Sequence, residues 1–130
     1  MEPSAKVKLT ERQKLRASGS RRMVLKDKGL SKVPNDVFEG EDVKFSTILE
    51  LSKNKILQLP PDIAKFKALI ILDLSHNKLN ELPDELCSLR TLKKLILNNN
   101  KFTEFPPQIN RIESLEQLVI SHNKKKKITE

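Results

Sequence analysis

The chain has 130 residues, enough for one domain with a modest core, and that core must be aliphatic because there are five Phe and no Trp or Tyr. Its one cysteine, Cys87, cannot form an internal disulfide, and its longest wholly apolar run, residues 68–72, is far too short to span a membrane. The charged N-terminus lacks an apolar signal segment. We therefore expect a soluble protein of the cytoplasm, with the nucleus as the other compartment to consider.

The net charge of +8 is concentrated at the two ends of the chain. Residues 1–32 carry 10 Lys/Arg and 3 Asp/Glu, residues 33–123 carry 11 and 13, and residues 124–130 carry 4 and 1. Basic ends can attract acidic partners, phosphates or a membrane surface, but charged termini more often only keep a chain soluble. The four lysines at 124–127 also have the composition of a nuclear-import signal, a match of low specificity.

The first predicted element is a short amphipathic helix over residues 10–18. The stretch TERQ at 10–13 has the spacing of a capping box, apolar residues flank it, and the helical pattern stops near Gly19. We expect this helix to cover the N-terminal end of the core. Residues 1–19 would then form a basic segment with a capping helix, and residues 20–130 the main domain.

Most of the chain repeats itself with a period of 23 residues. Asn54, Asn77, Asn100 and Asn123 are each one period apart, and apolar residues recur three and five positions before them. Apolar residues also recur two, five, nine and twelve positions after the asparagines of the complete units, where a proline follows the fifth position. So many matching columns predict a stack of similar structural units.

The repeat is irregular at both of its ends. An imperfect copy comes first, with Lys28 in the asparagine column, and residues 40–42 lengthen it to 26 residues as a surface bulge. At the other end Lys125 stands in a leucine column, and Ile128 returns to the pattern shortly before the last residue. We expect either a fragment of a longer repeat protein or a charged terminator that blocks further stacking, as edge lysines do on sheets.

The pattern LxxLxLxxNxLxxLPxxIxxL resembles the leucine-rich repeat family, and its Leu-Pro and Ile/Leu spacing resembles the intracellular Ras-group type of Ras-suppressor-like scaffold proteins. Residues 69–89 nearly match the consensus, residues 92–112 and 46–66 follow it closely, and the resemblance covers about residues 20–128. It implies an α/β leucine-rich-repeat solenoid of about 4.5 repeats. A curved parallel sheet would form the concave side, and short helical or irregular segments the convex side.

The repeated asparagines are predicted to be structural. At the turn after each strand the chain goes inward and leaves backbone N–H and C=O groups buried without a sheet partner, which costs about 1–3 kcal/mol for each group. Asparagine carries both a donor and an acceptor on a short side chain, so it can bridge these groups from coil to coil. We expect a ladder along one edge of the stack, formed by Asn54, Asn77, Asn100 and Asn123.

With this register, strand alternation assigns the side chains that face outward from the sheet. They combine branched apolar groups with a few charges, which suits protein binding, although β-branched residues are also common for strand propensity alone. Because the family binds partners on this face, the resemblance implies that it is the binding surface. The predicted partner-binding residues, in three rows across five strands, are Arg22, Ile48, Ile71, Lys94 and Gln117; Val24, Glu50, Asp73, Ile96 and Val119; and Lys26, Ser52, Ser75, Asn98 and Ser121.

No arrangement in the sequence indicates an enzyme, a cofactor or a metal site. His76 and His122 occupy equivalent places two repeats apart, about 10 Å across the sheet, which is too far to share a zinc ion. Asp73 and Ser75 lie near His76 but lack the glycine-framed nucleophile and oxyanion site of a hydrolase. We expect Cys87 to be buried and unreactive.

The sequence therefore predicts a non-catalytic scaffold or adaptor that holds another protein on its concave face. The Ras-group resemblance implies a small GTPase or a signalling complex as the partner. The alternative is electrostatic binding of a phosphate-rich ligand, nucleic acid or acidic membrane, through the basic termini. Nucleic acid is disfavoured by the near-neutral repeat body and by the lack of Trp and Tyr for base stacking. An open C-terminal edge would also permit end-to-end self-association.

Overall fold

The computed structural model describes residues 21–124. The capping helix predicted over residues 10–18 and the lysines at 125–127 lie outside the described residues. Within the described range the chain winds into five coils, and each coil contributes one strand to the same sheet.

The sheet is parallel, and its strands follow one another in chain order. Each strand is only three residues long, with its middle residue turned into the core and its two neighbours turned outward. The register matches the sequence repeat, since Leu49 pairs with Leu72 and Leu72 with Leu95. This sheet confirms the predicted solenoid. The strands are β1 (Arg22–Val24), β2 (Ile48–Glu50), β3 (Ile71–Asp73), β4 (Lys94–Ile96) and β5 (Gln117–Val119).

The return segments on the convex side contain single turns of 3-10 helix. A proline in extended conformation precedes each turn, which suits proline because its φ is fixed and it has no N–H to donate. Each turn directs a branched apolar residue, such as Ile63 or Leu86, into the core. The four turns are Asn35–Phe38, Pro61–Lys65, Asp84–Ser88 and Pro107–Arg111.

The first coil is longer than the others and carries a one-turn α-helix, α1 (Asp42–Phe45). Of the residues 40–42 predicted to bulge, Gly40, with a φ of 93°, and Glu41 are exposed, whereas Asp42 is half-buried and already begins α1. Val43 then returns to the core with 5% of its surface exposed. The sequence pattern did not predict α1.

One continuous core runs through all five coils. It is mainly aliphatic, with Phe66 and Phe102 almost fully buried, and the rings of Phe38 and Phe66 meet edge to face with centroids 6.0 Å apart. In the last coil, Leu115 and Leu118 are only partly buried against this core. The interior is therefore tightest in the middle coils, where both neighbouring coils cover each side chain.

Candidate functional site

An asparagine ladder runs along the edge where the strands end. The Asn77 Nδ2 atom donates to the carbonyl oxygens of Leu51, Leu74 and Ser75 at 3.0, 3.1 and 3.1 Å. Its Oδ1 atom accepts the N–H of Ile56 at 3.0 Å, and only 7% of the residue is exposed. One side chain thus satisfies backbone groups of its own coil and of the coil before it, which fixes their separation.

The same arrangement recurs at the other three asparagines. The Oδ1 atom of Asn100 accepts the N–H of Leu79 at 3.0 Å, and that of Asn123 accepts the N–H of Phe102 at 3.1 Å. Each donor lies two residues after the preceding asparagine. The first coil has no asparagine in this column, and there Asn54 accepts the N–H groups of both Lys28 and Leu30, at 3.0 and 2.9 Å. The ladder therefore holds the end of every strand at a fixed place on one edge.

The residue before each asparagine has a left-handed backbone. The φ angles are 59° at Lys53, 56° at His76, 59° at Asn99 and 58° at His122. Non-glycine residues rarely adopt this conformation, and asparagine and histidine do so more readily than most. His76 and His122 are both exposed, and their left-handed backbone is the point at which the chain turns inward toward the next asparagine.

The outward residues of the strands form a continuous concave face. Its apolar part, called the apolar strip here, consists of Ile48, Ile71, Ile96 and Val119, with two residues in each of the two outward rows. Ile48 pairs with Ile71 across β2 and β3, and Ile96 pairs with Val119 across β4 and β5. The three isoleucines are half-buried, and Val119 is 37% exposed. Each of these side chains leaves part of its apolar surface to solvent, where a partner can cover it.

Charged groups border the apolar strip. Arg22 forms an ion pair with Glu50 between β1 and β2. Asp73 accepts two hydrogen bonds at Oδ1, from the N–H of Ser75 at 3.0 Å and from its hydroxyl at 2.7 Å. Lys94 is half-buried beside Ile71, its partner across β3 and β4. Both carboxylates of the face are thus held in place by neighbours, so the charge pattern is fixed before a partner arrives.

The third predicted row differs from the first two. Ser52 and Ser75 are each 6% exposed, and their carbonyl oxygens accept hydrogen bonds from Asn54 and Asn77. The strands have ended before this row and the chain is already turning inward, so these two serines offer almost no surface to a partner. The other outward residues remain accessible in part or in full: Val24 and Asn98 are half-buried, and Lys26, Gln117 and Ser121 are exposed.

Two hydroxyl groups tie the coils together just before the strands, and sequence reasoning missed them. Thr91 Oγ1 donates to the carbonyl of Leu69 at 2.6 Å, and Ser114 Oγ donates to the carbonyl of Leu92. Thr91 and Ser114 are 23 residues apart, so the repeat period itself was the signal that could have found them.

A groove of about 940 Å³ lies on the flank beside the asparagine edge. Its apolar lining includes Leu57, which is 57% exposed, and Pro60 and Pro83. Lys78 and Glu81 place opposite charges along its wall. The groove is a second concavity, with a mixed lining that favours no single ligand chemistry.

Asp84 joins the third and fourth return turns. Its Oδ1 atom accepts hydrogen bonds from Gln108 Nε2 and from the Arg111 guanidinium, each at 3.0 Å. The hydrogen bond from Gln108, then the hydrogen bond and positive charge of Arg111, lower the pKa of the Asp84 carboxyl below its ordinary value of 3.8. This exposed cluster is structural, since it links two coils away from the concave face.

Neutralising Asp84 should cost a little stability at neutral pH and none in strong acid. Because the pKa is lower in the folded state, the stabilisation is present above the ordinary value of 3.8 and is lost as pH falls through the lowered value. We expect Asp84→Asn to lower the thermal midpoint at pH 7 by no more than about 2 °C, since the cluster is exposed. Calorimetry at pH 7 and pH 2 measures this, with Glu85→Gln as the control. An equal loss at both pH values would contradict the ionic origin.

Residues 21–124 form neither a Ser75–His76 hydrogen bond nor a cluster of metal ligands. Ser75 donates to Asp73, and no hydrogen bond in residues 21–124 joins Ser75 to the ring of His76. In the same range no group of three or more His, Cys, Asp or Glu side chains is placed to hold a metal ion. Cys87 is half-buried, with its thiol 3.6 Å from the carbonyl oxygen of Gln108. Across this part of the chain no helix is long and apolar enough to cross a membrane.

The parallel sheet, the coil-by-coil register and the asparagine ladder define a repeat solenoid with one broad open face. A profile of the leucine-rich repeat region matches residues 47–130, and the chain belongs to the leucine-rich repeat family. Proteins built on such repeats generally mediate protein–protein interaction and are typically non-enzymatic.

The structure is also similar to a solved leucine-rich repeat protein of Leptospira interrogans. The TM-score is 0.65 and the sequence identity 29%, over 80% of this chain and 32% of that chain. The chain thus spans about a third of that protein's length, at 32%. No curated protein sequence matches the chain.

Proposed function

We propose that this protein is a non-catalytic scaffold that binds a partner protein on its concave face. The observation that carries the proposal is the apolar strip of Ile48, Ile71, Ile96 and Val119, which stays partly open to solvent on a rigid sheet. Completing the burial of these four branched side chains would contribute on the order of 1 kcal/mol for each of them. Since short paired strands fix the backbone, little conformational entropy is lost when a partner docks.

The size of the face limits what it can hold. Five strands at about 4.8 Å spacing give a width of roughly 20 Å, which fits one helix or a short strand of a partner better than a broad flat surface. The Leu-Pro spacing of the repeats resembles the Ras-group type, which supports a small GTPase or another member of a signalling complex as the partner. The same resemblance supports the cytoplasm as the place of action, with the nucleus as the alternative.

We propose two alternative interactions, one through the basic termini and one through the outer edge of β5. Basic termini would bind phosphate-rich ligands, and most of their residues lie outside the described range. Self-association through the outer edge of β5 would cover Leu115 and Leu118, which are only partly buried. Phosphate-driven binding should weaken steeply between about 50 and 200 mM salt, whereas binding to the apolar strip should change little.

The double variant Ile71→Glu and Ile96→Lys tests the concave face. Ile71 pairs with Lys94 and Ile96 with Asp73, so each new charge meets an opposite one and the net charge is unchanged. We therefore expect the variant to fold, which circular dichroism checks. A docked partner would have to bury both charges, so we expect at least about 30-fold weaker binding, or about 2 kcal/mol. Proximity labelling identifies the partner, and calorimetry with the purified partner measures the affinity.

The matched control replaces two exposed apolar residues away from the face with the same two residue types, in the variant Leu57→Glu and Phe105→Lys. Leu57 and Phe105 are 57% and 38% exposed. The control should capture the same protein as the native chain with an affinity within about twofold. If the concave variant retained that protein with unchanged affinity, the partner would bind elsewhere and the proposal would fail.

A further inference from the structure

The residue directly after each ladder asparagine is an exposed lysine, which gives a column of Lys55, Lys78, Lys101 and Lys124. The backbone N–H groups of the first three donate to carbonyl oxygens of the preceding coil at 2.7, 2.9 and 2.7 Å. These bonds, next to the asparagine ladder, fix the base of each lysine one coil from the next. At about 4.8 Å for each coil, the four lysines span roughly 14 Å.

The positions directly before the asparagines extend this column into a band that holds no carboxylate over the last four coils and ends at Asp27, the equivalent position of the first coil. We call the eight positions on the two sides of the ladder the basic rim. Residues 33–123 contain 13 Asp/Glu and 11 Lys/Arg, and the rim holds four of these cations and none of these carboxylates. Its fifth lysine, Lys124, lies just after this range. The basic rim consists of Lys53, Lys55, His76, Lys78, Asn99, Lys101, His122 and Lys124.

No lysine of the basic rim forms an ion pair with another described residue. In residues 21–124 the ion pairs are Arg22–Glu50, Lys65–Asp62, Lys93–Glu116 and Arg111–Asp84. None of them includes a lysine of the rim. Neighbouring lysines in the column repel one another, and an anionic chain lying across them would remove that repulsion and gain direct pairing.

We propose that the basic rim is a docking surface for an acidic peptide segment of a partner protein. An extended chain rises about 3.3 Å per residue, so a run of five or six Asp/Glu covers the length of the lysine column. Alternate residues of an extended peptide are about 6.6 Å apart, whereas neighbouring coils are about 4.8 Å apart. The flexible lysine side chains can span this difference. The rim lies beside the concave face and uses none of its residues, so the proposal does not depend on the function proposed above.

The shape of the rim favours a narrow ligand over other polyanions. Glu81 and Glu104 lie three residues beyond Lys78 and Lys101, on the exposed flank. A flat anionic membrane that reached the lysines would also meet these carboxylates, whereas an extended peptide can lie along the rim alone. The rim contains no Phe, Trp or Tyr, so a single-stranded nucleic acid would find only the two imidazole rings of His76 and His122 to stack on, two coils apart.

The experiment measures, by fluorescence anisotropy, how the 130-residue protein binds a fluorescein-labelled peptide of six glutamates. The rim variant is Lys55→Gln, Lys78→Gln and Lys101→Gln. The control removes the same charge from exposed residues elsewhere, with Lys44→Gln, Lys67→Gln and Arg90→Gln. Because every variant keeps the basic termini, their contribution cancels in the comparison.

We expect the rim variant to bind the peptide at least tenfold more weakly, the control to change by less than twofold, and the concave double variant to bind unchanged. Equal loss in the rim variant and the control, or no binding by the native chain, would overturn the proposal. Tighter rim-dependent binding to phosphatidylserine vesicles or to oligothymidine would overturn the assignment to a peptide. If the triple variant did not fold by circular dichroism, Lys78→Gln with Lys101→Gln would carry the test, with at least a threefold loss expected.

Discussion

Replacing Asn77 with alanine is expected to lower the free energy of unfolding by about 3 kcal/mol. The substitution deprives the Ile56 N–H of its acceptor and the carbonyl oxygens of Leu51, Leu74 and Ser75 of a shared donor. Asn77 is only 7% exposed, so water cannot fully replace these bonds. The expected loss exceeds that of one ordinary hydrogen bond because several buried backbone groups are left unsatisfied together.

Urea denaturation followed by circular dichroism measures this effect, since the chain has no Trp or Tyr for intrinsic fluorescence. The matched control is Asn80→Ala, three residues further on and exposed, which should stay within about 0.5 kcal/mol of the native value. A loss below about 1 kcal/mol for Asn77→Ala would show that the ladder is dispensable to the fold.

The second large effect is expected for Leu72→Ala, at about 4 kcal/mol. Leu72 has no exposed surface and lies in the middle strand, where Leu49 and Leu95 flank it in the adjacent strands. Truncation leaves a cavity that rigid neighbouring coils cannot close, so the cost includes both lost burial and the void. In a repeat protein each coil is stabilised by its neighbours, so a defect in the centre weakens two interfaces at once.

The same column offers the matched control for this prediction. Leu118 is the equivalent residue of β5 and is only partly buried, so Leu118→Ala should cost about 1–2 kcal/mol. Calorimetric or urea unfolding of both variants gives the comparison. Equal costs at Leu72 and Leu118 would contradict the view that coverage by neighbouring coils on both sides sets the stability of each core position.

The fold was predictable because one short pattern recurs, and its columns become spatial neighbours once the coils stack. Leu49, Leu72 and Leu95 illustrate this, since their 23-residue spacing in the sequence is also their pairing register in the sheet. The apolar columns likewise predicted which side chains enter the core. The predicted capping helix over residues 10–18 stays a prediction.

Details that depend on where an element ends could not be predicted from periodicity. Strand alternation placed Ser52 and Ser75 on the binding face, but the strands end before them and the turn buries them. Phe105 occupies the same column as Leu82, yet it is 38% exposed against 5%. The next coil covers Leu82, whereas no described residue provides that cover for Phe105.

The column of lysines beside the asparagine ladder was also missed in the sequence analysis. A count along residues 33–123 gives near neutrality, because the acids and bases of all surfaces are summed. Aligning the repeats, instead of summing charge along the chain, places Lys55, Lys78 and Lys101 in one column, apart from the carboxylates of the flank and return segments. A sequence average therefore missed a surface that the three-dimensional arrangement makes strongly basic.

The bulge in the first coil has a practical consequence for engineering the molecule. Although this coil is 26 residues from Lys28 to Asn54, Met23 still pairs with Leu49 in the register that the later coils use. The extra residues therefore lie in the return segment on the convex side, around Gly40, and not in the sheet. An epitope tag, a fluorophore attachment site or a reporter fusion placed there would leave the sheet undisturbed and available for immobilised binding assays.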